Sequence, residues 1–311
     1  MKPPPFRYAA PRSVAEALAL LAEYGPEAKV LAGGQSLVPL LNMRLVRPEV
    51  IVDINRIGRL AYIRRRGDRL LVGALTRQRD VEASPLVARA VPLLAEAIRL
   101  VGHPQIRNRG TVGGSIAHAD PAAELPAVLA ALDGEVVVVG PAGTRVIGWE
   151  HFFTGYLTTA VGPDELVTEV RFPLPPPRTG SAFLEVARRH GDFALVGVAA
   201  LVQRADGRIA AARLAFTGVG PGPLRAPEAE AFLAGREPTP EALAEAGRLA
   251  AAPLEPPEDI HATSTYRKEV AAVLVRRALA AAWDRAGARQ RAGRARGRTP
   301  RADAAESAAG G

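Results

Sequence analysis

Apolar residues return at helical spacing at Val14, Ala17, Leu18 and Leu21, behind a capping box at Ser13-Val14-Ala15-Glu16 and ahead of the helix stop Gly25-Pro26. This predicts a first helix. Lys29-Val30-Leu31-Ala32 and Ile51-Val52-Asp53-Ile54 are short apolar runs of the kind that become buried strands, and residues 36–41 between them read as a helix. Residues 1–55 therefore form a small α/β unit.

From Leu60 the pattern changes. Leu70-Leu71-Val72-Gly73-Ala74 predicts a strand, and Leu86, Ala90, Leu93, Leu94, Ala97 and Ile98 share one face of a helix over residues 85–101, which Pro92 kinks or restarts. A polar segment, residues 102–110, leads to Thr111-Val112-Gly113-Gly114-Ser115, which reads as a loop between elements, and residues 124–132 are helical. Asp133-Gly134 is a turn signal before the strand Glu135-Val136-Val137-Val138-Val139. Residues 166–172 complete a strand-rich second unit over residues 56–175.

Pro173-Leu174-Pro175-Pro176-Pro177 marks the clearest boundary, since consecutive prolines neither continue a helix nor donate into a central sheet. Beyond it, residues 182–188, 195–203 and 209–216 read as strands, with the Asp206-Gly207 turn making the last two an antiparallel hairpin. Helices follow at residues 227–234, 240–251 and 264–283, the last burying Val270, Leu274 and Leu279 on one face and Tyr266 near its start. The chain as a whole is α+β, with a C-terminal domain over residues 178–287 and no solenoid-type repeat.

Composition narrows the chemistry. A length of 311 residues exceeds what one core usually serves, no apolar run reaches the ~20 residues of a membrane span, and Met1-Lys2-Pro3-Pro4-Pro5 lacks a secretory h-region, which points to the cytoplasm. Cysteine is absent, which excludes disulfides, thiolate catalysis, Cys-ligated zinc and an iron–sulfur cluster held by this chain alone. The net charge of +8 suggests nucleic acid until it is mapped, because seven arginines from residue 285 onward face only Asp303 and Glu306. Residues 288–311 read as a disordered basic tail on a nearly neutral folded part, and no nucleic-acid partner is expected.

Two stretches carry candidate chemistry. Ala32-Gly33-Gly34-Gln35-Ser36 sits at a strand-to-helix turn, and Thr111-Val112-Gly113-Gly114-Ser115 repeats its form, a glycine pair beside short hydroxyl residues. Glycine lets backbone N–H groups approach an anion that a Cβ would hold away, and a helix start adds its dipole. One glycine pair is as readily a plain turn, whereas two of the same form predict two sides of one pyrophosphate site for a dinucleotide. Neither is a Gly-x-Gly-x-x-Gly or a Walker loop. Gly218-Val219-Gly220-Pro221-Gly222 imitates the former after a strand, but Pro221 and Pro223 make it a turn.

Ala32-Gly33-Gly34-Gln35-Ser36-Leu37, the run Gln105-Ile106-Arg107-Asn108 ahead of the second glycine pair, Ala119-Asp120-Pro121-Ala122-Ala123-Glu124-Leu125-Pro126 and Arg188-Arg189-His190-Gly191-Asp192-Phe193-Ala194 together resemble the FAD-binding medium subunit of molybdenum hydroxylases, the group containing carbon monoxide dehydrogenase and xanthine dehydrogenase. The resemblance covers the chain to about residue 287. It implies a two-part FAD-binding domain of the vanillyl-alcohol oxidase type, followed by a C-terminal antiparallel-sheet-plus-helices domain. It also implies non-covalent FAD, its pyrophosphate on the amides of Gly33, Gly34, Gln35 and Ser36 next to Ala32, with Thr111, Gly113, Gly114 and Ser115 closing the other side. By the same resemblance Glu124 lies near the ribityl chain, and Phe193 stands beside the isoalloxazine ring, against the plainer reading of a core aromatic.

Several residues invite other roles. Asp120 and Glu124 lie four apart, as a general acid and base on one helix face would, yet the cofactor contact is the stronger reading for Glu124, and Asp120 ahead of Pro121 suits an N-cap. His103, His118 and His190 are not at metal spacing and read as hydrogen-bonded loop histidines, so no metal and no catalytic side chain is expected. In the family resembled, [2Fe–2S] clusters and the molybdenum cofactor sit in small and large partner subunits of a dimer of heterotrimers, and this chain passes electrons through FAD to an external acceptor. A self-contained flavin oxidoreductase and a non-catalytic assembly protein are the alternatives.

Overall fold

Three strands open the chain, β1 (Arg7–Ala9), β2 (Ala28–Leu31) and β3 (Val50–Asp53), with helix α1 (Val14–Tyr24) after the first and α2 (Leu37–Asn42) after the second. The computed structural model describes the backbone of residues 1–296 and the side chains of residues 1–288. Ser13 Oγ accepts from Glu16 N–H at 3.1 Å and donates to the Glu16 carboxylate, which starts α1 and turns Val14, Ala17 and Leu21 onto Val50, Val52 and Ile54. Both outer strands pair parallel with β3, Leu31 standing opposite Asp53. Parallel pairing brings the ends of β2 and β3 to one edge, so the first glycine stretch leaves the sheet beside Asn55.

The second unit contains β4 (Ile63–Arg66), β5 (Arg69–Gly73), α3 (Gln78–Ala83), α4 (Pro85–Ala90), α5 (Pro92–Ala97), α6 (Pro104–Arg109), α7 (Val112–His118), α8 (Glu124–Ala131), β6 (Glu135–Gly140), β7 (Gly143–Gly148), α9 (Trp149–Phe152), β8 (Phe153–Gly155), β9 (Thr158–Thr159) and β10 (Leu166–Pro173). Its sheet runs β4-β5-β10-β6-β7, antiparallel throughout. The helix expected over residues 85–101 does restart at Pro92, because Val91 leaves helical geometry at φ −135° and Pro92 takes N1 of a second helix. The polar run and the second glycine pair, expected as loop, start two helices instead. Pro104 sits in the first turn of α6, and Thr111 Oγ1 caps α7 by accepting from Gly114 N–H at 3.1 Å.

The remaining elements are β11 (Thr179–Ala187), β12 (Ala194–Ala205), β13 (Arg208–Thr217), β14 (Leu224–Arg225), α10 (Pro227–Leu233), α11 (Pro240–Ala251) and α12 (Ser264–Arg296). The strands form one antiparallel sheet in chain order. Strand alternation gives it two buried faces: Ala182, Val198, Ala200 and Leu214 meet the helices, while Phe183, Ala199, Leu201 and Ala215 join the core of the second unit. Every residue of α8 is buried in this seam, where Leu125, Val128 and Leu129 each contribute about 1.5–3 kcal/mol.

Two expectations for the last helix need correction. Tyr266 is exposed and Val270 half-buried; the side chain buried near the helix start is Arg267. The helix also continues to Arg296, past residue 288 where the tail was expected to begin, and residues 297–311, which carry the rest of that expectation, lie outside the described residues. No helix among the described residues is long and apolar enough to cross a membrane.

Candidate functional site

The first glycine stretch is held from below by side chains. Asn55 Nδ2 donates to the Ala32 carbonyl at 2.8 Å and to Asp53 Oδ1 at 2.6 Å, and the same carboxylate oxygen accepts from Asn55 N–H at 2.9 Å. Tyr8 donates to the other Asp53 oxygen at 2.6 Å. Arg77 bonds Asn55 Oδ1 at 2.6 Å and the Arg109 carbonyl, so one guanidinium ties this stretch to the end of α6. Burial, followed by the charge of Arg109, lowers that guanidinium below its usual value.

Backbone packing completes the join. A Cβ at Gly33 would lie 2.6 Å from the Arg109 carbonyl oxygen and 2.8 Å from Gly110 Cα, so the two stretches meet main chain to main chain. Gly34, at φ +75°, then turns the chain into α2. Among the described residues, no main-chain partner receives the N–H groups of Gly33, Gly34, Gln35 and Ser36, although Gln35 Nε2 donates to the Gly33 carbonyl at 3.2 Å. A run of unpaired amides on a turn fixed from both sides has the donors an anion requires.

The second stretch contributes differently from the reading by resemblance. Val112 N–H donates to the Thr76 carbonyl at 3.0 Å, Gly113 to Ala74 at 2.9 Å, Gly114 to Thr111 Oγ1 and Ser115 to the Thr111 carbonyl at 3.1 Å. These amides are engaged within the protein. Gly113 is glycine for packing, since a Cβ there would lie 2.4 Å from Ala74 Cβ, and Gly114 faces Thr111 and Ala32. What this side offers a ligand is the Thr111 N–H, the half-buried Ser115 hydroxyl and the start of α7. Ala32, Gly33, Gly34, Gln35, Ser36, Thr111, Gly113, Gly114 and Ser115 are thus one assembly.

Glu124 lies beyond the far end of α7, whose seven residues span about 10 Å. It is 4% exposed, and Ala123, not Asp120, takes the N-cap position of α8; Asp120 Oδ1 instead accepts from Ala122 N–H at 2.9 Å. Burial, then the charge of Glu185 and to a smaller extent that of Asp120, pushes the Glu124 carboxyl up to about 8 against a hydrogen bond from its own N–H. Phe193 is 61% exposed, which rules out the core reading. Its loop reaches the second unit through Gly191, whose Cβ position lies 2.4 Å from the His103 ring, with His190 packed edge-on to the same ring at 6.2 Å. His118 Nε2 stands 3.9 Å from Asp120 Oδ2, and no group of metal-ligating side chains occurs among the described residues.

Asn55, Arg77 and Glu185 escaped the sequence reading. Asp53-Ile54-Asn55 carries a usable signal, an Asp whose side chain accepts from the backbone two residues on. Arg77 and Glu185 carry none, since their partners lie far along the chain.

An unpaired amide row and a close backbone approach fit the diphosphate of a dinucleotide. Residues 4–175 match the family model of the FAD binding domain in molybdopterin dehydrogenase, and residues 181–282 that of the CO dehydrogenase flavoprotein C-terminal domain. The chain is 44% identical to the 6-hydroxypseudooxynicotine dehydrogenase complex subunit alpha of Paenarthrobacter nicotinovorans, covering 92% of this chain and 97% of that one. It is 41% identical to the carbon monoxide dehydrogenase medium chain of Hydrogenophaga pseudoflava, over 92% and 99% of the two chains. The structure of carbon monoxide dehydrogenase from Hydrogenophaga pseudoflava lacking the Mo-pyranopterin moiety superposes with a TM-score of 0.89 at 43% identity, covering 92% of this chain and 99% of that one. By these matches over nearly its whole length, the chain belongs to the family of FAD-binding medium subunits of molybdenum hydroxylases.

Proposed function

We propose that this chain is the electron-transfer subunit of a cytoplasmic molybdenum hydroxylase, assembled with a small [2Fe–2S] subunit and a large molybdenum-cofactor subunit as a dimer of heterotrimers. The unpaired amides of Gly33, Gly34, Gln35 and Ser36 carry the reading. They hold the FAD diphosphate without ordering a flexible cation, while Thr111 and Ser115 close the opposite side and Glu124 meets the ribityl hydroxyls. Bound FAD supplies the redox chemistry, so the chain itself binds, orients and shields. With no cysteine to hold a cluster, the electrons reach this site from a partner and leave to an external acceptor.

Titrating the full chain with FAD should give stoichiometric uptake, and adding the reduced iron–sulfur partner should bleach the visible flavin absorption. A chain that oxidises a small substrate without partners would support the self-contained flavoenzyme instead.

The same reading puts the isoalloxazine ring beside Phe193, and it is supported by the exposure of Phe193 on the loop that reaches His103. Phe193→Ala is expected to shift the flavin spectrum and change reoxidation several-fold while leaving the melting temperature within about 1 °C, as befits an exposed side chain. An unchanged spectrum and reoxidation rate would remove Phe193 from the flavin environment.

A further inference from the structure

Glu185, on the C-terminal sheet, is a second acid beside the segment that carries Glu124. On β11 it stands opposite Gly197, and Gly197 stands opposite Thr217, so the three share one row across the sheet. That row belongs to the face carrying Phe183, Ala199 and Ala215, which joins the second unit. Gly197 has no side chain to separate its neighbours. The Thr217 hydroxyl lies 2.8 Å from both the Pro121 and the Ala123 carbonyl oxygens, between which its one proton is shared, and this fixes the segment leading into Glu124 beside this row.

Two features point to a ligand. Among the described residues the Glu185 Oε2 atom is buried with no hydrogen-bond partner, and Glu124, more than nine-tenths buried, receives a hydrogen bond from its own N–H. The charges that act on Glu124 are both acidic, Glu185 on β11 and Asp120 on the segment before α8, with His118 next to Asp120 and a neutral Thr217 on β13. Among the described residues no arginine or lysine pairs with either glutamate. Two carboxyls in this setting cannot both stay charged and unsolvated, so the pair retains a proton.

We propose that Glu185 is a cofactor-positioning residue supplied by the C-terminal domain, and that with Glu124 it forms a proton-holding pair presenting an O–H donor and an oxygen acceptor to the sugar-alcohol chain of bound FAD. The pair rests on the FAD reading above and extends it across the domain seam. Burial pushes Glu185 up to about 7, and Glu124 stands at about 8, so above that pH the free site loses its last proton and FAD binding must restore it.

The test is the pH dependence of FAD affinity on the full chain, with proton uptake measured by titration calorimetry in buffers of different ionisation enthalpy. The wild-type Kd should rise about tenfold per pH unit above about 8, with close to one proton taken up per FAD. Glu185→Gln keeps a donor and an acceptor without a charge, so its pH slope and proton uptake should fall. Glu124→Gln should flatten the profile in the same way and decides the matter if E185Q does not fold. A wild type that binds FAD with no pH slope, or an E185Q with the wild-type slope and proton uptake, overturns the pair while leaving FAD binding intact. A wild type that takes up no FAD at neutral pH overturns the cofactor reading itself.

Discussion

Gly33→Ala is expected to reduce FAD affinity by about 100-fold or more while leaving the secondary structure in place. The added Cβ would lie 2.6 Å from the Arg109 carbonyl oxygen, 2.8 Å from Gly110 Cα and 3.1 Å from Thr111 N. All three are main-chain atoms, so no side chain can rotate away, and the two stretches must part by several tenths of an ångström. Separation pulls the Gly33 to Ser36 amides and the Thr111 N–H away from a common anion. Each charge-assisted hydrogen bond is worth about 1.5–3 kcal/mol, and losing two costs about 3–6 kcal/mol, or roughly two to four decades in Kd. Gly58→Ala is the control, since nothing lies within 4 Å of its Cβ position and its affinity should stay within about twofold. Fluorescence titration with FAD, paired with far-ultraviolet circular dichroism, reads both; wild-type affinity in a folded G33A would sink the cradle.

The same contact shows why part of this site was legible in the sequence and part was not. Two glycine pairs with hydroxyl neighbours are a local pattern, and local patterns survive in one dimension. The work divided between them does not. Whether Gly113 N–H faces a ligand or the Ala74 carbonyl depends on where β5 ends, forty residues earlier, and the structure spends that amide internally. The second pair therefore shapes the site through packing and the cap of α7, which the sequence cannot separate from amide donation.

Element types followed periodicity where one face is buried, as in α1, and went astray where local capping decides. In α7, four small residues and a histidine among seven give no apolar stripe, so Thr111 and its cap bond are what make it a helix. The prolines after β10 divided the sheets correctly along the chain, yet gave no hint that α8 would be buried from both sides and bind the two sheets into one core. Glu185 was invisible for the same reason: its meaning comes from Gly197, Thr217 and Glu124, which reach it only through strand register.

Arg267→Met is expected to lower stability by about 2–5 kcal/mol, the largest loss from one polar side chain in the C-terminal domain. Arg267 is 4% exposed at the start of α12 and donates to the Leu195 carbonyl at 2.6 Å, the Gly218 carbonyl at 3.2 Å and Asp259 Oδ2 at 2.7 Å. Methionine fills the space but leaves two interior carbonyls unpaired, at about 1–3 kcal/mol each, while half-exposed Asp259 is rehydrated at little cost. A loss of this size corresponds to a fall of about 10 °C in Tm for a domain of this length. The effect reaches the cofactor side, because Leu195 follows the Phe193 loop and Gly218 N–H donates to the Pro121 carbonyl at 2.8 Å, just ahead of Glu124. FAD binding should therefore weaken in R267M even at temperatures where the protein stays folded. Arg267→Lys keeps the charge but not the fork that reaches both carbonyls, and should recover less than half of the loss. Thermal unfolding with and without FAD separates the two effects, and an R267M protein that melts with the wild type would show that the carbonyls find other partners.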